Sequence, residues 1–92
     1  MIVGSLRVRL LLRQARTLKD KRQVVSSIKD RLRQGFNVSI AEVEAQDNRQ
    51  LAVLGLAMVG NKAAHVRAGL QQIVEALRAH PVAEFLDHEM EI

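Results

Sequence analysis

The chain has no cysteine, no tryptophan and no tyrosine. Without thiols, disulfides and thiolate metal sites are excluded. Its aromatics are Phe36 and Phe85 alone, 2% of the residues, so the core must be built from Val, Ile, Leu, Ala and Met. The same scarcity removes the aromatic platform on which RNA-recognition sheets stack bases. One proline, Pro81, and no repeat or low-complexity run leave no linker between domains. The longest apolar runs fall far short of the roughly 20 residues that cross a bilayer, and no membrane association is expected. Arg7 and Arg9 interrupt the N-terminal segment, which lacks a signal peptide's charged-then-apolar order. A cytoplasmic protein is the expectation.

What is present is ordinary globular material: 92 residues, 48% apolar and 26% charged. That length makes one domain, residues 1–92, with one core. The net charge is +4, unevenly spread. Residues 1–35 hold ten Lys or Arg against two Asp, a net of +8; residues 36–92 hold four against eight acids, a net of −4. Such asymmetry fits an acidic partner for the first third, or mutual neutralisation of the two parts after folding.

Residues 2–12 alternate. Ile2, Leu6, Val8, Leu10 and Leu12 share one parity while Ser5, Arg7, Arg9 and Arg13 take the other, the pattern of a strand with one buried face. Gly4 falls in the apolar set and marks a close backbone approach. Thr17 with Asp20 three residues on reads as a capping box, followed by Leu18, Val25, Ile28 and Leu32 at helical spacing. Gly35 is the expected left-handed stop. Residues 37–44, NVSIAEVE, are a second strand whose parity slips at Val43; a bulge near Ala41–Glu42 would bring Val43 back to the face of Val38 and Ile40. A polar turn with Asp47-Asn48 leads into QLAVLGLAMV, apolar on both parities and so an interior strand. Asn61 is the expected cap of a second helix bearing Val66, Leu70, Ile73 and Leu77, ended by Pro81. Residues 83–92 alternate again.

The order β-α-β-β-α-β, with right-handed crossovers, predicts an α+β, ferredoxin-like sandwich: a four-stranded antiparallel sheet, two helices on one face, the first strand between the third and fourth. The segments SLRVRLLL, TLKDKRQVVSSIKDRLRQGFNVSIAEVEAQD and LAVLGLAMVGNKAAHV together resemble the YlxP-like family, a bacterial domain-of-unknown-function family. LKDKR…RL…FNVSIAEV is the most specific part. Thr17 replaces the family's usual Ser and preserves the cap. The tip DNRQ is polar where many relatives carry an aromatic. The resemblance implies a ferredoxin-like domain in an RNA or ribosome context, because the family's genes commonly lie among translation genes, and it implies no catalytic residues.

Lys19, Arg22, Ser26, Lys29 and Arg33 recur at spacings of 3 and 4 and line one side of the first helix. The ordinary meaning is a solvated face partly neutralised by Asp30. The functional meaning is a row that tracks a phosphate backbone, with Arg16 and Lys21 assisting and Ser26 adding a neutral hydrogen bond. Lys21 sits in the middle of the apolar stripe, where its ammonium either snorkels past the helix edge, the ordinary case, or enters a pocket. Arg7, Arg9 and Arg13 are expected to meet Asp87, Glu89 and Glu91 across neighbouring strands. His65, His80 and His88 lack ligand spacing, no cofactor is implied, and the loop QAR after the first strand lacks the glycine of acyl-phosphate hydrolases. The expected function is non-catalytic, electrostatic binding of RNA or a ribosomal particle. The alternative is a homodimeric interaction module using an edge strand or the open sheet face, with Val53, Ala57 and Val59 at the contact.

Overall fold

The computed structural model describes residues 1–92. The elements are β1 (Ile2–Leu11), α1 (Leu18–Gly35), β2 (Val38–Glu44), β3 (Leu51–Gly60), α2 (Ala63–Arg78) and β4 (Glu84–Glu91). The strands form one antiparallel sheet in the order β2-β3-β1-β4. Leu6, Val8 and Leu10 of β1 and Ala52, Leu54, Leu56 and Met58 of β3 share one core with Val25, Ile28 and Leu32 of α1 and Val66, Leu70, Ile73 and Leu77 of α2. Both helices therefore cover the same sheet face, and the topology is ferredoxin-like. The opposite face is open. No helix is long and apolar enough to cross a membrane.

Local chemistry sets the element ends. Asp20 N–H donates to Thr17 Oγ1 at 3.1 Å, and Asp20 Oδ2 accepts from the N–H groups of Arg16 and Thr17 at 2.9 and 3.2 Å. Three backbone donors and one hydroxyl acceptor thus close the start of α1. Its end departs from expectation. No glycine has positive φ, and Gly35 is simply the last helical residue. Phe36 instead enters extended backbone (φ −141°), donates its N–H to the Leu32 carbonyl at 2.8 Å and packs its ring against the core, so no left-handed residue is needed. The start of α2 differs too. Lys62, not Asn61, occupies the cap position, and it makes no side-chain capping bond.

The β2 bulge is at Val43, between the pairs Glu42–Leu54 and Glu44–Val53. It does not return Val43 to the core. Glu42 holds the helix-facing position after Val38 and Ile40, and Val43 lies over Gly55 on the open face, where a Cβ added to Gly55 would come within 2.7 Å of Val43 Cγ1. At Gly4 the backbone of β1 approaches α2 so closely that a Cβ would lie 2.5 Å from Val66 Cγ1.

Candidate nucleic-acid interface

The sheet consumes its own charges. Arg9 and Asp87 are register partners, and Arg9 Nη1 stands 2.7 Å from Asp87 Oδ2. Arg7 reaches Glu44 at 2.6 Å and Glu89 at 4.0 Å, spanning from β2 to β4. Arg13 donates through Nε to Glu84 at 2.6 Å, and that hydrogen bond holds the Glu84 carboxyl below the usual carboxylate range. The expected neutralisation by β4 therefore holds, with Glu44 and Glu84 as partners the alternation did not indicate. Glu91 lies opposite Ser5 instead.

Lys21 is fully buried, which removes it from any phosphate-binding set. Its ammonium donates to the carbonyls of Ala45 (2.8 Å), Gln46 (3.2 Å) and Leu51 (3.2 Å), and Glu42 Oε2 lies 2.8 Å away. Three N–H donors face four oxygens, so the carboxylate is held as an ion pair without an aligned hydrogen bond. The side chain does not snorkel because an internal cluster of oxygens is nearer than solvent. It ties the first turn of α1 to the β2–β3 connection, where Ala45 takes a left-handed φ of 59°.

The outer surface of α1 is different. Lys19, Arg22, Lys29, Arg31 and Arg33 have no carboxylate oxygen within 4.0 Å. Lys19, Arg22, Ser26, Ser27, Asp30 and Arg31 line one shallow groove of about 540 Å³. Lys29 is half-buried beside it, and Arg33 leans toward the sheet, donating from Nη2 to the Ile40 carbonyl at 3.1 Å while keeping its charge. Arg16 lies beyond the N-terminus of the row, in a separate cleft with Arg13 and Arg49. The structure thus brings Lys19, Arg22 and Ser26 together, adds Arg31, sets Lys29 and Arg33 along one flank, and withdraws Lys21. Arg31 escapes a reading that follows one 3-4 row because it lies on the other side of the groove.

This arrangement belongs to a chain whose residues 3–90 match a family model described as "Protein of unknown function (DUF503)". The protein is a DUF503 family member. It is similar to the uncharacterized protein YlxP of Bacillus subtilis (strain 168), with 30% identity over 83 residues covering 90% of each chain. The YlxP-like resemblance carried by LKDKR…RL…FNVSIAEV is a family relationship. In this DUF503 protein no three His, Cys, Asp or Glu side chains gather as metal ligands, and His65 is exposed.

On the open face of the DUF503 sheet, Val3 and Val59 are register partners, each 51% exposed, and Ala57 is exposed. Val53 is on that face but only 2% exposed, which corrects its assignment to an exposed contact. It lies between its register partners Arg9 and Glu44, whose ion-paired side chains flank it.

Proposed function

We propose that this domain binds RNA, free or within a ribosomal assembly, through the outer surface of α1, by charge and without catalysis. The supporting observation is where the unpaired cations gather. Arg7, Arg9, Arg13, Lys21 and Arg78 each have a carboxylate within 4.0 Å, and of the nine Lys and Arg that have none, five, Lys19, Arg22, Lys29, Arg31 and Arg33, lie on α1. These five cations, with Asp30 the one carboxylate in the groove, gain by releasing the counterions of a phosphate backbone. No aromatic lines the groove, so the affinity is sequence-tolerant. The test is RNA retention as a function of salt, for the wild type and for Arg22→Gln and Arg31→Gln. Loss of about one unit of salt slope per removed contact supports the reading. No retention at low salt refutes it.

A second reading rests on Val3 and Val59, an exposed apolar pair at one end of the open face. It makes the domain a homodimer through that face. Sedimentation separates the two: a stable dimer lost in Val59→Lys, and indifferent to Arg22→Gln, favours the second.

A further inference from the structure

The turn after β1 and the β2–β3 connection meet in a cleft that the α1 reading does not use. Its volume is about 780 Å³, and Arg13, Gln14, Ala15, Arg16, Arg49 and Gln50 line it. Three arginines and two glutamines contribute to its lining, and no Asp or Glu does. The two segments are stitched together from below. Leu12 N–H donates to the Gln50 carbonyl at 2.7 Å, Gln50 Nε2 to the Arg13 carbonyl at 3.1 Å, and Arg49 Nη1 to the Arg16 carbonyl at 3.3 Å. The walls are therefore held in place before any ligand arrives.

The charges are also fixed. Glu84 holds Arg13 by Nε, which orients the planar group and leaves further donors on its terminal nitrogens. Arg49 spends one N–H on a carbonyl and keeps the others. Asp20 of α1 accepts from the backbone N–H groups of Arg16 and Thr17, and its charge also acts on Arg16. The backbone N–H groups of Arg13 and Gln14 donate to no protein acceptor. Arginines with guanidinium donors to spare, a free carboxamide on Gln14 and two unpaired backbone N–H groups in the residues of one hollow are the chemistry that an oxyanion needs.

We propose that this cleft binds a phosphate monoester group, the dianion of a small phosphate or of a nucleic-acid terminus, through Arg13, Arg16 and Arg49. The proposal stands on these residues and not on the α1 row, so either can fail alone. No nucleophile or general base lines the cleft, and the site holds the group without cleaving it.

The test is an amide NMR titration of the full chain with inorganic phosphate, repeated with Arg49→Gln, Arg16→Gln and, as a control on α2, Arg67→Gln. Saturable shifts confined to residues 13–17 and 49–51 are expected. Arg49→Gln and Arg16→Gln each weaken phosphate binding roughly tenfold or more, as loss of charge-assisted hydrogen bonds does. Arg67→Gln binds like the wild type. Arg49→Gln removes one of the three bonds that join the two segments, whereas the exposed Arg16 side chain makes no hydrogen bond or ion pair, so Arg16→Gln tests the charge alone. A second arm compares oligoribonucleotides with a 5′-phosphate and a 5′-hydroxyl. Tighter binding of the phosphorylated one, lost in Arg49→Gln, assigns the group to a nucleic-acid end; equal binding alongside saturable inorganic phosphate assigns it to a small phosphate. Shifts that do not saturate, that scatter over the whole basic surface, or that persist unchanged in both cleft variants overturn the proposal.

Discussion

Lys21 and Glu42 form an ion pair at 2.8 Å with 1% and 17% of their side chains exposed, joining the first turn of α1 to the end of β2. A lone buried charge costs far more than a buried pair, so the two halves of this contact are not equivalent to their sum. Lys21→Met leaves the Glu42 carboxylate buried and three carbonyls without their donor. We expect a loss of about 3–5 kcal/mol, read by urea denaturation. The double variant Lys21→Met, Glu42→Met is expected to lose less than Lys21→Met alone. Equal stability of Lys21→Met and wild type would contradict this role.

Gly4 separates β1 from α2 by less than a methyl group allows, with Val66 Cγ1 2.5 Å and Leu70 Cδ1 2.9 Å from the position of an added Cβ. Gly4→Ala must displace the Val66 and Leu70 side chains and is expected to cost about 1–3 kcal/mol. Gly35→Ala, where an added Cβ meets nothing within 4 Å, is expected to be neutral or mildly stabilising. A thermal melt of both variants checks the contrast.

The capping box at Thr17 gives a third expectation. Thr17→Ala removes the acceptor of the Asp20 N–H and is expected to destabilise by about 0.5–2 kcal/mol. Thr17→Ser retains the hydroxyl and most of that stability, as chemical denaturation of the two variants will show.

His80 makes stability depend on pH. Its Nδ1 accepts from the N–H groups of Val82 and Ala83 at 3.1 and 3.0 Å, an arrangement that requires the ring nitrogen unprotonated. Burial, and then the charge of Arg31, hold its pKa below the ordinary 6.5. The folded state therefore favours neutral His80, while the unfolded chain protonates near pH 6.5. This contribution is fully present above pH 6.5 and is lost as pH falls through the lowered folded value. Arg31→Gln raises the His80 pKa, which an NMR titration of the ring measures directly. An unchanged pKa would mean that the charge of Arg31 does not reach the ring.

Sequence patterning exposes most of the fold because its signals are local. The alternation in β1, the Thr17–Asp20 box and the 4-3-4 spacing of Val66, Leu70, Ile73 and Leu77 each act within a few residues. Lys21 is ambiguous in the sequence because its partners, the carbonyls of Ala45, Gln46 and Leu51, come from 24 to 30 residues away and leave no mark on composition. Glu42 reaches Lys21 by plain alternation from Val38 and Ile40, and the bulge that follows it carries Glu44 to the open face, opposite Val53 and beside Arg7. Of the candidate surface, the row from Lys19 to Arg33 is legible from spacing. Arg31 is not, because grouping it with Lys19 and Arg22 depends on the width of the groove. The cleft of Arg13, Arg16 and Arg49 joins two loops that only the β1–β3 pairing brings together.

The most direct test of the central claim is the slope of log affinity for a structured RNA against log salt concentration. It compares the wild type with a variant carrying Lys19→Gln, Arg22→Gln and Arg31→Gln. If those unpaired cations meet phosphates, the slope falls by about one unit per substitution and affinity drops across unrelated RNA sequences. A slope and affinity identical to wild type, in a variant with an unaltered melting temperature, would contradict the account.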